Sequence, residues 1–172
     1  MPILTPVITE EQLSTRIKEI GREIRADFGD EPVWLVGILK GSYHFLSDLS
    51  RNVEGDVFID FMRVSSYGHG RESSGAVQIL KDMDNSAENQ NIIIVEDIVD
   101  SGLTLTYLRK FFEVRHPKCV NVATLLAKPD ARIHPVKVDY IGFQIPNDFV
   151  VGYGLDDAER YRNLPYVAKI IQ

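Results

Sequence analysis

An α/β fold, with a mainly parallel sheet flanked by helices, is what this sequence predicts, and three observations predict it. Short apolar, β-branched runs alternate with segments of helical period along the chain, the order that builds a parallel sheet covered by helices. The run Ile92-Ile93-Ile94-Val95 is apolar at every position, as in a central strand buried on both faces. Across 172 residues there is no repeat, low-complexity tract or linker, so one domain over 1–172 is expected.

Each element has its own signature. Thr9 followed three residues later by Gln12 forms a capping box. Leu13, Ile17, Ile20, Ile24 and Phe28 then recur at helical spacing and Gly29 suits the stop, which predicts a helix over 9–28. After the Asp30-Glu31-Pro32 turn, Val33–Leu39 reads as a buried strand and Tyr43–Ser50 as a helix. Residues 57–64 and 77–80 are extended, on either side of the polar, Gly/Ser-rich stretch 65–75. Beyond the strand at 92–95, Leu105, Leu108, Phe111 and Phe112 support a second long helix, and 120–127, 138–143 and 149–153 complete the strands.

Chemistry is concentrated after Val95. Glu96-Asp97-Ile98-Val99-Asp100-Ser101-Gly102-Leu103-Thr104 follows the all-apolar strand and opens a helix. Ligands of open α/β sheets bind beyond the carboxyl ends of strands. The Ser-Gly-x-Thr turn offers backbone N–H groups and two hydroxyls at a helix N-terminus, which suits a phosphate, and Gly102 lets the backbone come close. Ionised Glu96 and Asp97 only accept hydrogen bonds, so they suit a sugar diol or a hydrated Mg²⁺. Phosphate and diol sites a few residues apart match a ribose 5-phosphate. The plain alternative, an exposed turn with a helix cap, holds for most isolated Asp-Ser-Gly segments but does not account for the preceding strand and acids.

Val95-Glu96-Asp97-Ile98-Val99-Asp100-Ser101-Gly102-Leu103-Thr104 resembles the phosphoribosyl pyrophosphate motif of type I phosphoribosyltransferases, specifically of the hypoxanthine-guanine enzymes. The resemblance runs from residue 9 almost to the C-terminus. It implies the family fold with a small hood formed by terminal segments, and transfer of a phosphoribosyl group to a 6-oxopurine in purine salvage. By the same resemblance Glu96 and Asp97 hold the ribose hydroxyls and a magnesium ion, and Asp100 to Thr104 wrap the 5-phosphate. Asp100 is implied as general acid/base at purine N7. Leu103 departs from relatives with Lys there, which a backbone-held phosphate tolerates.

Further motifs take their roles from the resemblance. Lys40-Gly41-Ser42 lacks the Walker A order and alone would be an ordinary strand-to-helix turn; the family uses this loop for pyrophosphate, often with a cis peptide before the Lys. Arg162 matches a pyrophosphate-binding arginine. Residues 65–75 have the composition of a simple hairpin connection, whereas the resemblance makes Ser65, Ser66, Tyr67 and Gly68 a closing lid. Lys128, ordinarily a solvated lysine after a strand, is placed on the purine 6-oxo group. Phe149 is implied to stack on the base, Val150 to offer backbone hydrogen bonds, and Asp156 to join a second metal site.

Composition sets the boundaries. Hydrophobic residues are 44% and charged residues 26% of the chain, the balance of a soluble globular protein. No apolar run nears the roughly 20 residues of a membrane span, and the N-terminus lacks a secretory pattern. With one cysteine, Cys119, no internal disulfide forms and a cytoplasmic setting is expected. His44, His69, His116 and His134 share no metal-ligand spacing. The net charge of −6 disfavours nucleic acid as partner, and with it the RNA-binding regulators that share the fold. Lys128 and the 149–150 pocket argue against an adenine or pyrimidine enzyme. The family implies a homodimer or homotetramer.

Overall fold

The structure, a computed structural model, describes residues 2–66 and 76–171. Strand β1 (Ile3–Ile8) leads into helix α1 (Glu10–Phe28), which starts where the sequence places it. Thr9 Oγ1 accepts from Gln12 N–H and Gln12 Oε1 accepts from Thr9 N–H, satisfying two first-turn donors. Gly29 closes the helix at φ +57°.

Strand β2 (Val33–Leu39), helix α2 (Tyr43–Ser50), β3 (Val57–Ser66), β4 (Val77–Lys81), β5 (Asn91–Val99), helix α3 (Leu103–Glu113), β6 (Cys119–Ala127) and β7 (Tyr140–Gln144) follow. They form a six-stranded sheet in the order β4-β3-β2-β5-β6-β7. All neighbours in it pair in parallel except β4, which runs antiparallel to β3. Alternate side chains of each strand enter opposite cores. Leu35, Ile93 and Val95 pack with α1 and α2 through Ile17, Ile20, Phe45 and Leu46. Val36, Ile92 and Ile94 pack with α3 through Leu105, Leu108 and Phe112. The 92–95 run is thus apolar throughout because both of its faces are covered.

Three features depart from the sequence reading. Strand β5 does not stop at Val95. It pairs with β2 as far as Gly37↔Val95 and with β6 as far as Val99↔Ala127, so Glu96 and Asp97 are strand residues with one open flank. Strands β1 and β9 (Val167–Ile171) carry no strand pattern in the sequence reading above. They pair antiparallel and, with the two-residue β8 (Val150–Val151), make a second sheet of order β1-β9-β8, the hood that the resemblance implied. Only two residues of the expected strand 149–153 are strand, because Gly152, Tyr153 and Gly154 all have positive φ.

Candidate active site

The chain leaves β2 through α2 on one face of the sheet and leaves β5 through α3 on the other. The gap between the ends of β2 and β5 is therefore the place where connections diverge, and such gaps hold ligands in open α/β sheets. A cavity of about 530 Å³ lies there. Lys40 and Gly41 line one side, residues 96–105 the other, and Asp156 and Arg162 reach it from the chain after β8. The Leu39–Lys40 peptide is cis.

Glu96 is only 7% exposed and Asp97 is half-buried. Burial is the main cause that raises both carboxyls above the usual range, and the charge of Asp97 pushes Glu96 further. Backbone N–H groups and Arg162 act against the shift at Asp97 without reversing it. Asp97 also explains Gly41: a Cβ at that position would fall 1.8 Å from Asp97 Oδ2, so the β2 loop seats against the carboxylate only without a side chain. Two adjacent buried acceptors with raised affinity for protons fit a divalent cation or a diol. Among the described residues no group of three or more His, Cys, Asp or Glu could cage a metal. The Glu96-Asp97 carboxylates are a donor set that fits a hydrated divalent cation, whose shell water and phosphate oxygens complete.

Beyond β5 the chain turns sharply at Gly102 (φ +87°), the N-cap of α3. A Cβ there would fall 2.4 Å from His134 O. The turn is anchored from behind, since Ile133 and His134 N–H groups donate to Ser101 O at 2.9 and 2.8 Å. Ser101 Oγ accepts from Leu103 N–H, while Gly102 supplies no side-chain cap to α3. Asp100 is exposed at the cavity, with Lys128 Nζ 4.0 Å from its Oδ2. Lys128 itself is 7% exposed at the end of β6.

At the same cavity, Arg162 bonds Gly154 O at 2.7 Å through Nη1 and lies 3.1 Å from Asp156 Oδ1 through Nη2. Gly154 in turn lies on the β2 loop, where a Cβ would fall 2.1 Å from Gly41 O. This segment is pinned to α2 by Tyr153, whose buried hydroxyl donates to Asp48. Burial first, and then that hydrogen bond, raises the phenol far above its usual value, so it stays a donor.

The cavity thus brings together Lys40, Gly41, Glu96, Asp97, Asp100, Ser101, Gly102, Leu103, Thr104, Asp156 and Arg162. It does not include Phe149, which is 56% exposed, or Val150, which is buried in β8. Of the expected lid, Ser65 and Ser66 end β3, whereas Tyr67 and Gly68 lie outside the described residues. Three contributors escaped the sequence reading. Glu159 pairs with Lys40, Tyr153 pins the 152–156 segment, and Arg132 Nε donates to Asp100 O at 3.4 Å. Each acts across a long separation, so no local pattern announces it.

The phosphoribosyl transferase domain family matches residues 8–158. The hypoxanthine-guanine phosphoribosyltransferase of Bacillus subtilis is 48% identical over 161 residues, 94% of this chain and 89% of that one. Among solved structures, a hypoxanthine-guanine phosphoribosyltransferase from Bacillus anthracis with a HEPES molecule in its active site superposes with a TM-score of 0.93. It is 46% identical and covers 97% of this chain and 98% of its own. A hypoxanthine phosphoribosyltransferase from Staphylococcus aureus gives a TM-score of 0.94 at 43% identity, covering 97% and 91%.

Proposed function

The chain belongs to the phosphoribosyl transferase family, with the hypoxanthine-guanine enzymes, and on that premise we propose that it transfers the 5-phosphoribosyl group of phosphoribosyl pyrophosphate to a 6-oxopurine in purine salvage. The bases are hypoxanthine and guanine, and the products are the nucleoside monophosphate and pyrophosphate. One observation carries the reading. A single cavity is lined by the 100–104 turn, by Lys40, Gly41 and Arg162, and by Glu96 and Asp97. Phosphate at one end, a diol between and pyrophosphate at the other is the layout of the substrate.

In this reading the N–H groups and hydroxyls of residues 100–104 hold the 5-phosphate, aided by the helix terminus. Glu96 and Asp97 accept the ribose hydroxyls. Lys40, Gly41 and Arg162 hold the pyrophosphate, Phe149 stacks on the purine, and Val150 meets it through its backbone. Lys128 has donors only, so it favours a 6-oxo over a 6-amino base. As purine N9 bonds to C1, the C1–O bond to pyrophosphate breaks and its electron pair leaves with pyrophosphate, while Asp100 takes the proton at N7. Ser65, Ser66, Tyr67 and Gly68 close over the site and exclude water. Glu96 and Asp97, with Asp156 at a second position, would hold Mg²⁺, which would neutralise the leaving group's charge.

We place the enzyme in the cytoplasm as a homodimer or homotetramer. No helix among the described residues is long and apolar enough to cross a membrane. Exposed Ile59 and Leu80 on strands β3 and β4 are apolar surface that a second copy would cover. The test is pyrophosphate release from phosphoribosyl pyrophosphate and Mg²⁺ with hypoxanthine, guanine, xanthine, adenine or uracil. Turnover with 6-oxopurines is expected. Turnover with adenine or uracil alone would discard the base pocket, and none with any base would discard the reaction.

A further inference from the structure

The feature left over from this account is Glu159, a carboxylate among groups assigned to bind an anion. Its Oε2 lies 2.9 Å from Lys40 Nζ and its Oε1 lies 3.3 Å from Arg162 Nη2. One carboxylate therefore bridges two cations that stand far apart in sequence, one oxygen to each. Asp156 Oδ1 lies 3.1 Å from the same Nη2 of Arg162, whose Nη1 donates to Gly154 O. Lys40 and Arg162 are thus matched by Glu159 and Asp156, and the cluster presents no net positive charge to pyrophosphate.

We propose that Glu159 competes with pyrophosphate for Lys40 and Arg162, the carboxylate and the ligand holding the same two cations in turn. The inference rests on the assignment of Lys40 and Arg162 to the pyrophosphate group. Glu159 is the member built to move. Its side chain is 65% exposed, whereas Arg162 is largely buried and tied to Gly154 O. Its backbone stays put, since Glu159 N–H donates to Asp156 Oδ2 at 2.8 Å and the adjoining turn is closed by Asp157 and Arg160. The side chain can therefore leave while the turn remains folded. Such a competitor weakens pyrophosphate binding and speeds its release. It leaves alone a nucleoside monophosphate, which carries no pyrophosphate.

Glu159→Gln keeps the shape and the backbone hydrogen bond and removes the charge. In the full-length enzyme the inhibition constant of pyrophosphate and the KM of phosphoribosyl pyrophosphate should both fall, by about threefold for two rim ion pairs. The difference should shrink as salt is raised, and affinity for the nucleoside monophosphate should not change. A merely orienting Glu159 predicts the opposite sign. Weaker or unaltered pyrophosphate inhibition in Glu159→Gln overturns the proposal, as does an equal shift for the monophosphate. If the wild-type enzyme turns over but pyrophosphate does not inhibit it, the assignment of Lys40 and Arg162 falls, and this inference with it.

Discussion

Two buried acid sites in one sheet show opposite behaviour. Asp60 on β3 is 4% exposed and accepts N–H groups from Phe61, Asp84 and Asn85 at 2.8, 3.0 and 3.1 Å, and the Asn85 side-chain amide at 3.0 Å. Burial alone would raise its carboxyl, but these donors outweigh burial and hold it below the usual range. Glu96 on β5 is buried to a similar degree and Asp97 beside it is half-buried, yet there burial wins and both are raised. The difference is in the donors. Asp60 spends its oxygens fastening the loop before β5, whereas the β5 pair keeps lone pairs for something that is not protein. Asp97 accepts one N–H, from Ile98 at 2.7 Å, against the four donors around Asp60. A buried cavity carboxylate with few donors is a binding-site candidate, whereas one surrounded by donors is a staple.

The contrast breaks most readily by removing one carboxylate of each kind. Asp97→Asn should lower kcat/KM by about a thousandfold, roughly 4 kcal/mol of transition-state stabilisation, with the unfolding midpoint nearly unchanged. A variant that unfolds while its folded fraction stays active would make Asp97 a staple as well. Asp60→Ala should do the reverse. It strands buried N–H donors and should cost about 2–3 kcal/mol in urea unfolding, with kcat preserved at temperatures where the protein is folded.

The same Asp60 pair tests the pH argument. Its folded carboxyl is depressed, so its contribution is complete above the unfolded value of about 3.9 and fades as pH falls through the lower folded value. The stability gap between wild type and Asp60→Ala should therefore narrow below about pH 4. A gap that stays constant to pH 2 would mean that the hydrogen bonds do not depend on the charge.

Tyr153→Phe sharpens the comparison with a third carboxylate, Asp48, which belongs with the staples. Loss of that bond should cost about 1.5 kcal/mol and raise the KM for phosphoribosyl pyrophosphate, with Asp48→Asn, which retains an acceptor, closer to wild type. Equal effects of Asp48→Asn and Asp48→Ala would remove the hydrogen bond from the explanation. The smallest effect has the opposite sign. Because the folded value of Glu96 is raised, its charged form costs stability at neutral pH, and Glu96→Gln should raise Tm by roughly 2–4 °C, about 1 kcal/mol. A lower Tm would show that Glu96 is already satisfied.

Local chemistry made much of this protein legible. The Thr9-Gln12 box and the Leu13 to Phe28 spacing define α1 because a helix is stabilised by neighbours one turn away. The apolar run at 92–95 announces a strand buried on both faces. Residues 96–104 stand out as the proposed phosphate turn because its glycine, hydroxyls and acids are contiguous in the chain. Other elements were masked by their own composition. Pro6 argues against a strand but is tolerated in β1, which pairs only with β9. The apolar run of β5 ends at Val95, before the Glu96-Asp97 pair, yet β6 carries the ladder past it to Val99.

By itself, then, the sequence determined the α/β class, the principal helices and strands, and the segment to which we assign the phosphate chemistry, since each rests on interactions within a few residues. Tertiary structure alone decided that β5 continues through its carboxylates, that Gly41 seats against Asp97 and Gly154, and that Tyr153 finds Asp48. It alone set Glu159 between Lys40 and Arg162. Those contacts join residues distant in the chain, and only the closed fold supplies the distances and the burial that give them their energies.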